Sequence, residues 1–204
     1  MSAIYAEELR VAYEQGRRDF RHWDLAGADL RGIAIPGASL YGANLRGADL
    51  RDSDLTDVDL RVADMQKADL SHANLQNARL AGADLGNASL EGAILVECDL
   101  RMANLEEADL AGANLHGASL PDADLEGADL EGADLTDADL SHADLEQADL
   151  REANLRCAAL RQADLRCADF GGANMVDVHL RGANLHDVDL AGTCLERRRE
   201  AARS

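Results

Sequence analysis

The chain has 204 residues, enough for one domain, and carries a net charge of −19 from 39 acidic against 20 basic residues. That balance speaks against direct binding to nucleic acid or to an anionic membrane, because phosphate is held by Lys and Arg that displace counterions, and it favours a basic protein surface as partner. Apolar residues make up 47% but aromatics only 3%, so the core has to be built from Leu and Ala.

The first segment, MSAIYAEELRVAYEQG, is too acidic and polar for a signal peptide, and no apolar run reaches the roughly 20 residues of a membrane span. The expected location is the cytoplasm, with no membrane contact. Ser2 can cap a helix that runs to about Gln15, with Gly16 as its stop. Tyr5, Leu9, Ala12 and Tyr13 fall on one stripe of it. Phe20, Trp23, Ile33 and Ile35 follow as the bulkiest candidates for the interior. The helix is therefore expected to lie as a lid on the first part of the repeat, packed through Tyr5, Leu9 and Tyr13 against Phe20, Trp23 and Ile33.

From residue 20 to residue 195 every fifth position is apolar, 36 times without an insertion. It is Leu except at Phe20, Ile35, Met65, Phe170 and Met175. With that residue called i, position i−2 is nearly always small, usually Ala, i−1 is usually Asp or Asn, and i+1 and i+2 vary and are polar or Gly. A period of five suits neither regular structure. On a helix of about 3.6 residues per turn the leucines would spiral round the axis, and on a strand i and i+5 would face opposite ways. Each repeat is thus one short side plus a corner, with i and i−2 inside. Gly at i+2 marks the corner, and Pro36 and Pro121 show that i+1 tolerates a missing N–H.

The phrase A-(D/N)-L-x-x, repeated over about Asp19 to Leu195, resembles the pentapeptide-repeat family. The resemblance implies an all-β, right-handed quadrilateral parallel β-helix with four repeats per coil, here about nine coils. The chain then divides into a capping helix (1–17), the β-helix (18–195) and a polar tail or short helix (196–204). The tail, ERRREAARS, has no large apolar residue to cover Leu180, Leu185, Leu190 and Leu195, so the C-terminal coil is a candidate homodimer end.

Sorted by a period of 20, the outward charges fall unevenly on four walls. The wall of Leu30, Leu50 and Leu70 nets −9 and carries the i−1 column Asp29, Asp49, Asp69, Ser89, Asp109, Asp129, Asp149, Asp169 and Asp189. The adjacent wall of Leu25 and Leu45 nets −8, the wall of Ile35 and Leu55 nets −5, and the wall of Phe20, Leu40 and Leu60, rich in Arg, nets +1. The eight aspartates of the column are the candidate partner-binding residues. At any single position, Asp is equally explained by a hydrogen bond to the adjacent turn, since Asn at the same slot keeps the acceptor without the charge.

No nucleophile motif, P-loop or zinc spacing is present. Cys98, Cys157, Cys167 and Cys194 read as reduced and structural, and neither catalytic residues nor a cofactor or metal are expected. Three functions remain: a rigid scaffold for an unidentified protein, a DNA mimic, or a purely structural filler with no partner. The second follows from the resemblance, since some members protect DNA gyrase, a topoisomerase, from quinolones or toxins by filling its DNA groove. Those members are richer in Phe at i, whereas this chain has only Phe20 and Phe170 there, and no loop interrupts its repeats.

Overall fold

The computed structural model describes residues 2–195, with side chains from residue 7 onward. The tail 196–204 and the Tyr5 side chain lie outside the described residues. A helix, α1 (Ser2–Glu14), precedes a solenoid in which each i−1 residue forms a parallel bridge with the residue 20 positions on, from Asp19↔Ser39 to Asp169↔Asp189. Four pentapeptides therefore make one turn, as the period-20 sorting supposes. The sides are shorter than the sequence suggests: each is a one-residue bridge and not a strand, because the corner claims two residues in every five.

The repeat accounts for all five of its backbone donors. The N–H of i reaches the carbonyl of the coil above (Leu125 to Asp144, 2.7 Å), as does that of i+2 (Gly127 to Glu146, 2.9 Å). The N–H of i−1 reaches the coil below (Asp129 to Ala108, 3.0 Å), and that of the next i−2 closes the turn (Ala128 to Leu125, 3.0 Å). The fifth donor, on i+1, has no carbonyl in reach. It is taken by the side-chain oxygen of i−1, and this bond forms at every Asp and every Asn in that slot. Buried or crowded amides need such partners, and Asp and Asn supply them locally. Pro36 and Pro121 follow Ala34 and Ser119, two of the slots where i−1 is neither Asp nor Asn. There the donor is absent and needs no acceptor.

The i+2 residue sits in the left-handed region throughout, as the third residue of a type II turn requires. Glycine meets this at Gly127 (φ 64°), but many corners carry side chains at the same angle, among them Asp122, His142 and Val62. Inside, the leucines at i and the alanines at i−2 are almost wholly buried from Leu25 to Ala168.

At the N-terminal end the chain leaves α1 by a Schellman-type stop, with Gly16 (φ 94°) donating to Tyr13 and Arg17 to Ala12. Leu9 is fully buried, and the Tyr13 hydroxyl donates to the Pro36 carbonyl (2.8 Å). Phe20 and Trp23 meet edge to face at 5.1 Å, with the Arg17 guanidinium 4.8 Å above the indole. Phe20 and Ile33 are buried and Trp23 is half-buried. At the other end the interior opens. Leu180 and Leu195 are half-buried and Leu185 is 37% exposed, while Leu190 is buried.

Candidate functional site

The stacked column is present as geometry. Asp29, Asp49 and Asp69 bridge in succession, then Ser89, Asp109, Asp129, Asp149, Asp169 and Asp189. Its charge is not that of eight free carboxylates. Where Arg follows in the phrase D-L-R or D-F-R, the guanidinium folds back on the aspartate two residues earlier. Arg31 grips Asp29 (2.9 and 2.7 Å), Arg51 grips Asp49 (2.9 and 2.6 Å) and Arg151 grips Asp149 (2.8 and 2.6 Å). Arg51 also reaches Asp69 at 3.4 Å. Asp109, Asp129, Asp169 and Asp189 have no ion-pair partner among the described residues.

The clamps shift titration as well. The Arg21 and Arg31 hydrogen bonds hold Asp19 and Asp29 at about 2. Asp49, Asp59, Asp99, Asp149 and Asp164 are lowered in the same way by Arg51, Arg61, Arg101, Arg151 and Arg166. On the two neighbouring walls repulsion is relieved by amides: Asn44 donates to Asp24 (2.8 Å) and Asn104 to Asp84 (3.1 Å) on the Leu25 wall, and Asn154 to Asp134 (3.1 Å) on the Ile35 wall, each from the coil above.

The uncompensated acid is instead concentrated along the axis. Residues 102–150 contain 14 acidic side chains and no Lys or Arg, in a chain whose total is −19. At about 4.8 Å per coil this is a belt roughly 12 Å tall. Most of it lies on two adjacent walls, as Glu106, Glu107, Asp124, Glu126, Asp144 and Glu146 on one and Asp109, Asp129, Glu131 and Asp149 on the other. Arg166 pairs with Glu146, and Arg151 holds Glu131 (2.7 Å) with Asp149. These cations bound the belt on its C-terminal side. Within it the Glu126 carboxyl is pushed above its usual value, by desolvation first and then by Glu146, Asp144, Asp124 and Glu106. The part of that rise owed to the four neighbouring carboxylates reflects their negative potential.

Oxygens of Asp129, Glu131 and Asp149 come within 4.8 Å of one another, but Arg151 already neutralises two of the three. A hollow of about 700 Å³ lies between α1 and the first coil, beside Glu7, Arg10, Asp29 and Arg31. Arg10 pairs there with Glu7 and Arg31 with Asp29, so both of its cations are spent internally. Cys98 is buried, donates to the Leu75 carbonyl and has its thiol pushed up to about 12 by desolvation, whereas Cys167 is exposed.

The pentapeptide-repeat model matches residues 24–61, 63–101, 98–137, 128–166 and 163–197, and the chain belongs to that family. Among solved structures it is similar to HetL, a pentapeptide repeat protein involved in heterocyst differentiation regulation from the cyanobacterium Nostoc sp. strain PCC 7120. The identity is 34% and the TM-score 0.63, over 92% of this chain and 95% of that one. It shares its fold with trypsin-treated QnrB1, a plasmid-mediated fluoroquinolone resistance protein, at 19% identity and a TM-score of 0.80 over 92% and 95% of the two chains. Full-length QnrB1 gives 17% and 0.67 over 91% and 96%. No curated protein matches the chain.

Proposed function

We propose that this protein is a non-catalytic scaffold, a right-handed quadrilateral rod of about nine coils that presents the acidic belt of residues 102–150 to a basic surface on another protein in the cytoplasm. The observation that carries this reading is the gathering of 14 acidic side chains without one Lys or Arg in that segment, on walls whose interior is no different from the rest. A convex charged face suits steering and docking of a protein partner. It does not suit chemistry, which needs convergent groups in a recess. The variant Glu106→Gln, Asp109→Asn, Glu126→Gln, Asp129→Asn removes belt charge and keeps each i−1 acceptor. Partners captured by the wild-type rod and lost by this variant support the reading, and identical capture by both refutes it.

A second reading is favoured by the same charge together with the likeness in fold to QnrB1: the belt stands in for DNA on gyrase. Purified gyrase decides between them. Inhibition of supercoiling that disappears in Asp109→Asn, Asp129→Asn, Asp149→Asn supports mimicry, and no effect at high protein concentration leaves the scaffold. The open C-terminal coil, with Leu185 exposed beside Leu180, Leu190 and Leu195, is the proposed homodimer end. Light scattering that finds only monomer at micromolar concentration removes it.

A further inference from the structure

The corner between the arginine-rich wall and the Leu25 wall differs from the other three. Along it the left-handed i+2 slot reads His22, Gly42, Val62, Gly82, Met102 and Asp122. Among the described residues, Val62 and Met102 are the two aliphatic side chains found at positive φ, and Val62 is the one β-branched residue there. A β-branched side chain is a poor choice for that conformation, and such outliers persist where something other than stability retains them. Both are laid open to solvent, Val62 57% and Met102 72% exposed, more than the other exposed large apolar residues of the described chain. Gly82 separates them by one coil on each side. A Cβ there would lie 4.0 Å from the Val62 methyl, so the glycine leaves a notch between two apolar knobs.

The flank of this ridge is cationic in what it shows. Arg61 and Arg79 both pair with Asp59 (2.8 and 3.2 Å), whose side chain is only 8% exposed while the two arginines are 42% and 54% exposed. Arg101 is 60% exposed over Asp99 at 24%. A partner therefore meets three guanidinium groups with their carboxylates held beneath them. On the opposite flank stand Asp64 and Asp84. Asp64 accepts the Gln66 N–H, and Asp84 accepts from Gly86, Asn104 and the Gln66 amide.

We infer that this corner is a second docking surface, for a segment of another protein that places an apolar side chain in the Gly82 notch and carboxylates on its arginine side. Isolated exposed apolar residues are ordinary, but here they are paired on one edge, one of them against the preference of its own backbone, and rimmed by cations on one side only. Charge complementarity selects the carboxylate partner, and the asymmetric rim fixes its orientation. The surface is separate from the acidic belt, so the rod would join an acidic partner and a basic one.

The probe is an array of twelve-residue synthetic peptides with a central Leu, Met or Phe, flanked by Glu at varied spacing, beside counterparts in which Glu is replaced by Gln or Lys. The expected result is retention of wild-type protein on Glu-flanked apolar peptides. The double variant Val62→Asn, Met102→Asn should bind them about tenfold or more weakly, from the loss of two buried apolar contacts. Arg61→Gln with Arg101→Gln should weaken binding and remove the preference for Glu over Gln. The belt variant of the preceding subsection should bind unchanged. Val62→Asn alone should raise the melting temperature by about 2–4 °C, since Asn suits the left-handed corner, so lost binding is not lost folding. No retention of Glu-flanked peptides, equal retention by the double variant, or a preference for Lys-flanked peptides overturns the inference.

Discussion

The bond from i−1 to the i+1 amide can be tested at Asp109, which carries no clamp. Its carboxylate accepts the Ala111 N–H at 3.0 Å. Asp109→Ala removes that acceptor and should destabilise the coil by about 1 kcal/mol, the usual net worth of such a bond. Ala111→Pro in the native background deletes the donor and should likewise lose about 1 kcal/mol, partly offset by about 0.4–1 kcal/mol from a stiffer unfolded chain. With both changes, neither group is left without its partner. The site becomes like Ala34 with Pro36, and the proline should now stabilise. The double-mutant cycle should therefore show a favourable coupling of about 1 kcal/mol. Urea unfolding followed by far-UV circular dichroism and by size exclusion measures it. Two probes are needed because stacked repeats can unfold in parts. If proline costs the same with Asp109 and with Ala at that position, the coupling is zero and the account of the repeat fails.

Five further outcomes are expected. Ser53 occupies an Ala slot, and its buried hydroxyl has no partner among the described residues, so Ser53→Ala should stabilise by about 1 kcal/mol in the same urea assay. Ala128→Leu, at a fully buried i−2 position, should overpack the coil and cost about 1–3 kcal/mol or more. The clamped aspartates titrate below their ordinary 3.8, Asp19 and Asp29 at about 2, so their stabilisation is complete above the unfolded value. Stability should fall as pH drops from about 4 to 2, and melts of Arg21→Gln with Arg31→Gln should show a shallower fall there. Glu126 is raised instead, so its protonation as the pH falls favours the folded rod, and added salt should raise the melting temperature less in Glu126→Gln, Asp129→Asn than in the wild type. Thiol reagents should modify Cys167 at once and Cys98 only on unfolding.

The spacing of the leucines foretells the register of 20 because a chain that must bury every fifth side chain has few closed paths. The lid is legible for a similar reason: Leu9, Tyr13, Phe20, Trp23 and Ile33 are large side chains in a protein otherwise made of Leu and Ala. Two features escape a wall-by-wall net charge. The belt runs over several walls, so it stands out on no single one and shows as the run of Asp and Glu along the chain from Met102 to Leu150. The phrases D-F-R at Asp19 and D-L-R at Asp29, Asp49, Asp59, Asp99, Asp149 and Asp164 all mark bidentate or close clamps, yet a count of net charge treats Asp49 and Asp109 alike. The ridge of Val62 and Met102 was harder to foresee. Gly at i+2 points to an open corner, but most of those slots carry side chains, so nothing in the sequence sets a valine there apart.

The register of 20 also decides which changes of length this protein can absorb. Loss or gain of five residues within the rod leaves Leu over Leu and Ala over Ala, so the interior closes as before. Every wall beyond the change is nonetheless rotated by a quarter turn, and the Asp109–Asp129 column no longer continues the column begun at Asp29. Only steps of four repeats preserve both interior and exterior. The same insertion can thus be silent to folding and decisive for recognition, and rods of equal stability in different organisms can present quite different faces.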